Sequence, residues 1–218
     1  MHISKSIKLA EFIKTQPFMS IQPSKYNELI LEGNFNMVVQ YDGFPKINKT
    51  YNLQIKIFQN FPYSIPIVTE VEGKIPRDGN HHVNPDKTLC LGSQIKLLEL
   101  IHKKPTLEGF VEYCLIPFLY AATLKMEYNI DFIFGELAHG DDGLIDEYCA
   151  LFGVTNKEQV LNVLTMLTLN KRVANKWSCP CQCENRLGKC SLRFKINKYR
   201  KIAFRSWYKN ILHRIYIL

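Results

Sequence analysis

The run Tyr51-Asn52-Leu53-Gln54-Ile55-Lys56-Ile57-Phe58 alternates apolar and polar side chains, the period of two that marks a strand with one buried face. Three further runs are β-rich: Glu28-Leu29-Ile30-Leu31, Phe35-Asn36-Met37-Val38-Val39-Gln40 and Ile67-Val68-Thr69-Glu70-Val71. Turn residues Gly33-Asn34, Asp42-Gly43 and Asn60 to Pro62 separate them, which predicts a four-stranded antiparallel meander. Ahead of it, Ile3, Ile7, Ala10 and Ile13 recur three or four apart with Lys5, Lys8 and Glu11 between, an amphipathic helix ending near Gln16-Pro17. From Thr106 the period changes. Leu107, Phe110, Val111, Cys114, Leu115, Phe118 and Leu119 mark a helix that Pro117 is expected to kink. A second helix is predicted over Leu144 to Phe152. A third starts at Thr155, where Thr-Asn-Lys-Glu has capping-box spacing, and runs through Val160, Leu161, Val163, Leu164 and Leu167. The pattern defines an α+β fold, one layer of sheet covered by helices. Cys114 and Cys149 fall on apolar helical faces and are assigned to core packing.

At 218 residues the chain suits one main domain and a tail. Charge divides it. Residues 171–218 hold 13 Lys or Arg and one acid, Glu184, for +12, while residues 1–170 hold 15 basic and 19 acidic residues, for −4. The boundary is therefore set between a domain at 1–172 and a Cys-rich basic tail at 173–218. The start mixes lysines with apolar residues and lacks a signal-peptide h-region, and the most apolar run, Tyr113 to Leu124, is too short for a bilayer core needing ~20 residues. A cytoplasmic protein without a membrane partner is expected. Seven cysteines, an odd number, argue against a disulfide framework and favour free-thiol or metal roles.

Cys90 closes the run His81-His82-Val83-Asn84-Pro85-Asp86-Lys87-Thr88-Leu89-Cys90-Leu91-Gly92. A thiol acts as a nucleophile only as thiolate, and acyl transfer needs a donor for the oxyanion formed when a carbonyl is attacked. A thiol with imidazole and amide groups close before it has this layout. Read alone, Cys90 is equally a small hydrophobe in a strand, and His81-His82 an exposed polar turn.

The text before the loop decides between these. Asn60-Phe61-Pro62-Tyr63-Ser64-Ile65-Pro66 leads into the Ile67 run and Gly73-Lys74-Ile75-Pro76, and the His loop ends at Cys90-Leu91. This order resembles the ubiquitin-conjugating-enzyme (UBC-like) family, in which a proline-punctuated strand precedes a His-Pro-Asn segment and the catalytic cysteine lies eight residues after the asparagine. Here His82 stands eight before Cys90, and Asn84 six before. That departure is similar to the prokaryotic branch of the family. Gly135-Glu136-Leu137-Ala138-His139-Gly140, followed by Gly143 to Tyr148, is similar to stand-alone bacterial members found in anti-phage operons beside nucleotide cyclases. The resemblance implies the UBC-like fold: N-terminal helix, meander, catalytic loop and C-terminal helices. It implies an acyltransferase in which Cys90 carries the C-terminus of a modifier ending in Gly, or of a cyclase, as a thioester and passes it to an amine. By the same resemblance His82 stabilises the oxyanion or positions the loop, with His81 and Asn84 as secondary candidates; His139 is a gate or a turn residue. No nucleotide-binding Gly-rich loop is present, so a separate activating enzyme or an already activated partner is needed. The alternative is an inactive member of the fold, serving as a binding or regulatory module.

Cys179-Pro180-Cys181-Gln182-Cys183 and Cys190 place four thiols within twelve residues. Close thiolates are tetrahedral zinc ligands, and four of them leave no open position, so a structural zinc is expected. The spacing is similar to the Cys-Pro-Cys-Gly-Ser zinc motif of many bacterial proteins, but Ser191 follows Cys190 where that motif has a last ligand. Cys183 or the distant His213 is the candidate for the fourth position. Beyond Cys190, basic residues interleave with Phe194, Tyr199, Phe204, Trp207 and Tyr208. This composition suits docking to a protein or packing on its own domain, and, ranked below these for want of a nucleic-acid motif, nucleic-acid binding.

Overall fold

A computed structural model of the chain describes residues 7–24, 27–134 and 141–217. The chain divides into two compact units, Met1–Glu136 and Leu137–Leu218. The boundary differs from the one charge suggests at 172/173. The helical stretch after residue 140 packs with the basic tail: burial, not charge, decides which segments share a core.

The first unit begins with helix α1 (Leu9–Thr15), which buries Leu9 and Phe12 and stops at Gln16 before Pro17. Strands β1 (Met19–Gln22), β2 (Glu28–Val39), β3 (Ile47–Phe58) and β4 (Ile67–Glu70) follow as an antiparallel sheet in the order β1-β2-β3-β4. The meander is as expected, and β3 and β4 contain the runs read at Tyr51 and Ile67, but the first two strands differ. The runs from Glu28 and from Phe35 are a single strand, and β1 is an additional one. Gly33, read as a turn, lies within β2 opposite Met19. Its φ is +143°, and a Cβ there would lie 2.1 Å from the Phe18 carbonyl oxygen. The glycine marks a close backbone approach rather than a chain reversal.

β2 and β3 pair along their full lengths, from Glu28 opposite Phe58 to Val39 opposite Ile47. Leu31, Phe35 and Met37 of β2 and Tyr51, Leu53, Ile55 and Ile57 of β3 point to one buried face. The sheet meets a helix there. Tyr51 and Thr123 share a buried hydroxyl hydrogen bond of 2.7 Å, and the Tyr120 hydroxyl donates to the Pro45 carbonyl at 2.7 Å.

Helix α2 (Gln94–Ile101) buries Ile95, Leu97, Leu98 and Ile101. Helix α3 (Leu107–Tyr128) is capped by the Thr106 hydroxyl, which accepts from the Gly109 N–H at 3.1 Å. Pro117 does not break it. A π turn at Val111–Leu115 absorbs the irregularity just ahead of the proline, whose missing N–H cannot join the regular ladder. At 22 residues α3 is longer than its apolar run suggests and would be long and apolar enough to cross a bilayer; 72% of its apolar window is buried within the protein. Burial, not shortness, accounts for it as a core helix.

The second unit holds α4 (Asp141–Phe152), α5 (Lys157–Thr168), the single turn α6 (Lys171–Ala174), α7 (Leu192–Tyr199) and α8 (Arg205–Ile217). The cap of α5 is shifted by one residue from the expected box. Asn156 Oδ1 accepts from the Gln159 N–H at 2.9 Å, and Gln159 Oε1 accepts from the Thr155 N–H at 2.8 Å. Asn is the stronger cap, and the reciprocal residue is Gln159 rather than Glu158. Tyr199 and Tyr208 are buried, the Tyr208 hydroxyl donating to the Tyr199 carbonyl at 2.6 Å and the Tyr199 hydroxyl to Leu151 at 3.1 Å. Part of the aromatic content of the tail is thus spent on its own core. Phe194 and Phe204 remain exposed.

Candidate functional site

Residues 78–90 of the first unit form a short 3-10 turn followed by a tight hairpin. Asp78 caps the turn Gly79–His81, its Oδ1 accepting from the His81 N–H at 2.9 Å and contacting His81 Nδ1 at 2.8 Å. Next, the Asn84 N–H donates to the Thr88 carbonyl and the Lys87 N–H to the Asn84 carbonyl, both at 2.8 Å. Lys87 has φ +71°. A three-residue reversal, Pro85-Asp86-Lys87, results, with proline where φ is already set and the left-handed residue last. Asp86 Oδ1 accepts from the Thr88 hydroxyl at 2.6 Å and the Thr88 N–H at 3.1 Å, and Asn84 Nδ2 donates to Thr88 Oγ1 at 2.9 Å.

Past the reversal, Val83 pairs with Leu89, both buried, and the Leu89 N–H donates to the Val68 carbonyl of β4 at 2.8 Å. Cys90 follows, exposed, its N–H donating to the His82 carbonyl at 2.8 Å. Cys90 and His82 are therefore held across one hairpin from each other. His82 adopts φ +53°, a left-handed conformation in which His and Asn are among the side chains tolerated. Its ring rests edge-on against Phe132 at 4.5 Å between centroids. Gly92, two residues beyond Cys90, has φ +139°; a Cβ there would meet only the Leu97 side chain at 3.8 Å, so the position demands conformational freedom rather than space.

Of the four residues singled out from the sequence, His82 and Cys90 come together. His81 is half-buried and committed to Asp78, and the Asn84 amide is committed to Thr88. His139 lies outside the described residues, as do the first helix's Ile3 and Lys5. Sequence reasoning missed Asp78, Asp86, Thr88 and Phe132. The Asp-Lys-Thr spacing carried a turn signal for the second and third, whereas nothing local tied Phe132 to a loop fifty residues earlier.

The other cysteines have different surroundings. Cys114 is buried in α3, its thiol pushed up to about 12 by desolvation, and partial burial also raises Cys149. Thiols held protonated in this way are poor nucleophiles. The remaining four lie in the second unit. A β-bridge between Ser178 and Arg186 sets up a small knuckle, closed by the Cys179 N–H to the Asn185 carbonyl at 2.8 Å and the Gln182 N–H to the Cys179 carbonyl at 3.0 Å. Gln182 and Glu184 take positive φ of 60° and 61°, turning the chain so that alternate residues present sulfur to one side. Cys190 arrives through the 3-10 turn Leu187–Lys189, immediately before α7.

The sulfurs of Cys179, Cys181, Cys183 and Cys190 all lie within 4.8 Å of one another, the closest pairs at 3.2 and 3.6 Å. A tetrahedral Zn–S distance of ~2.3 Å places sulfurs ~3.8 Å apart, inside that range. Donors supplement the cluster: the Leu192 N–H reaches Cys190 Sγ at 3.4 Å and Asn185 Nδ2 reaches Cys183 Sγ at 3.9 Å. The Asn185 backbone N–H, followed by neighbouring thiols, lowers Cys183 to about 7, while burial chiefly raises Cys179 and Cys181. Geometrically Cys183 is the fourth member. His213 is exposed on α8 and does not join them.

Comparison of the chain with protein-family models, curated proteins and solved structures finds no match.

The hairpin carries a pH dependence. Asp78 is lowered from the ordinary aspartate value of 3.8 chiefly by its bond with His81, and Asp86 chiefly by the Thr88 hydroxyl. A depressed folded value means that the stabilisation is complete above 3.8 and is lost as pH falls through the lower, folded-state values. Amide exchange read by NMR should show the His81 and Thr88 N–H groups protected and unchanged from pH 7 to about 5, then deprotected below the ordinary carboxylate range. In Asp86→Asn the Thr88 acid response should vanish. Deprotection centred above pH 5 would contradict this linkage.

Proposed function

We propose that the first unit is an acyl carrier of the ubiquitin-conjugating type, working through Cys90. The observation that carries the reading is the distribution of thiols: outside the four-sulfur cluster, Cys90 is the exposed cysteine, fixed by its own N–H across from His82, whereas Cys114 is buried and Cys149 half-buried. The resemblance of the loop and of the preceding proline-punctuated strand supports the same assignment.

In the proposed reaction the Cys90 thiolate attacks the carbonyl of an activated C-terminal acyl group, and the previous carrier leaves as a thiolate. The resulting thioester is attacked by an amine; the tetrahedral intermediate collapses to an amide, the amine loses its proton, and Cys90 departs as thiolate. The acyl group is the C-terminal glycine of a modifier or the C-terminus of a cyclase, activated by a separate enzyme. The setting is the bacterial cytoplasm and anti-phage defence. His82 supplies a donor to the oxyanion or orients the loop through its seat on Phe132, while His81 and Asn84 act as positioning residues by holding Asp78 and Thr88.

The cluster is proposed to hold one structural zinc, with Cys179, Cys181, Cys183 and Cys190 as ligands. Four thiolates around a divalent cation close the knuckle and leave no position for substrate.

Two experiments test these assignments. Protein isolated from cells supplying the activated partner should carry a thiol-labile mass adduct at Cys90 that Cys90→Ala abolishes and Cys90→Lys converts to a thiol-resistant amide. His82→Ala should slow single-turnover transfer by ~100-fold or more, and His82→Asn, which keeps both the left-handed backbone and an N–H donor, should recover part of the rate. An adduct that persists in Cys90→Ala sinks the assignment, and partner binding without any adduct indicates the inactive binding module.

For the metal, protein purified without chelator should contain about one zinc per chain, and Cys190→Ser should lose it together with the thermal stability of the second unit. Absence of zinc from the wild-type chain would overturn the site.

A further inference from the structure

Two cavities of the second unit stand at the two ends of one short turn. The first, of 310 Å³, is lined by Asn170, Lys171, Arg200, Phe204 and Arg205 together with apolar Leu167 and Ala203. It contains three cations and no carboxylate. Arg200 donates to the carbonyls of Leu169 at 2.6 Å and Met166 at 2.5 Å, and Arg205 Nη1 to Asn170 Oδ1 at 2.7 Å, so both guanidiniums are held in place by neutral oxygens. Burial first, and then the charge of Arg205, lower Arg200 from the ordinary arginine value. Arg205 also opens α8, whose first turn has no acidic residue to offset the helix dipole. Among the described residues Lys171, Arg172, Lys176, Arg200 and Arg205 make no ion pair, whereas Lys49, Lys74 and Lys104 of the first unit pair with glutamates.

The second cavity, of 570 Å³, lies against the cysteine knuckle. Its lining includes Trp177, Asn162, Gln182, Asn185, Glu158 and Glu184. Trp177 is 49% exposed, and Glu184, the single acid of residues 171–218, faces this space rather than the cationic one. A flat indole beside amides and carboxylates is equipped to stack a planar ring and to bond its polar edge.

The turn between them is continuous. The N–H groups of Asn175, Lys176 and Trp177 donate to the carbonyls of Lys171, Val173 and Ala174 at 3.0, 2.9 and 3.1 Å. Six residues at ~1.5–2 Å each separate Lys171 from Trp177 by roughly 9–12 Å. Exposed Arg172 and Lys176 belong to the same turn.

We propose that the second unit binds single-stranded nucleic acid, with phosphates on Lys171, Arg200 and Arg205 and a base stacked on Trp177 beside the knuckle. Sequence composition ranked protein docking and self-packing ahead of this. Burial of Tyr199 and Tyr208 agrees with self-packing of the tail; the proposal rests instead on what that packing leaves exposed, the cations at Lys171 and Arg205 and the indole of Trp177. The exposed indole favours a strand with bases to stack on it; an acidic protein segment and an anionic membrane are outcomes of the test below. The site is independent of thioester chemistry and is best measured on the zinc-loaded full chain carrying Cys90→Ala.

Fluorescence anisotropy with a labelled 12-nucleotide single strand, DNA or RNA, should show binding that weakens steeply with salt. Lys171→Glu and Arg205→Glu should each weaken it by about tenfold or more. Trp177→Ala should cost roughly tenfold while leaving the salt dependence unchanged, and Trp177→Phe should keep most of the affinity. These residues are wholly or half exposed, and circular dichroism checks that each variant is folded. The proposal is overturned if no binding is seen at 50 mM salt, or if duplex, polyglutamate or anionic vesicles compete as well as the single strand. It is equally overturned if Trp177→Ala has no effect.

Discussion

The register of β2 against β3 is the constraint on which the first unit depends. Twelve residue pairs fix it, and because side chains alternate with a period of two, a slip by one would turn Tyr51, Leu53, Ile55 and Ile57 from the core to the opposite face. That register sets β4, paired from Leu53 opposite Glu70 to Lys56 opposite Ile67. β4 in turn sets the hairpin, since the Val68 carbonyl receives the Leu89 N–H. Cys90 is the next residue. The exposed thiol is thus one peptide away from a backbone bond to the sheet, and its own N–H is bound to His82. A side chain placed in this way is anchored at its backbone and needs no flexible arm to hold its position.

The second unit rests on a different physics. Its order comes from buried Tyr199 and Tyr208, the Arg200 bonds to the C-terminal carbonyls of α5, and the sulfur knuckle. Four sulfurs lie within 4.8 Å of one another, close enough for all of them to reach one cation. A divalent cation bound there would add its binding free energy to folding.

Much of this was legible in the sequence. The alternation at Tyr51 to Phe58 revealed the central strand because half-buried strands show it most clearly, and four thiols in twelve residues revealed the cluster because its ligands are local. Gly33 misled because a glycine required for close approach to Phe18 looks the same in sequence as a glycine in a turn. Strand β1 was missed because four residues, with Met19 buried and Ile21 exposed, carry too little pattern. His82 is singled out in the sequence by its distance from Cys90, but its seat on Phe132 depends on tertiary packing. The charge boundary misplaced the second unit because net charge records solvent exposure and says little about which helices share a core.

Outside the four-sulfur cluster the fold exposes Cys90 and buries Cys114. Time-resolved alkylation of the native protein supplied with zinc, with each cysteine followed by peptide mapping, tests directly whether Cys90 is the accessible nucleophile. Cys90 should be modified first and to completion, with Cys179, Cys181, Cys183 and Cys190 protected until zinc is removed and Cys114 until the protein unfolds. Labelling of Cys90 no faster than that of Cys114 would contradict the account.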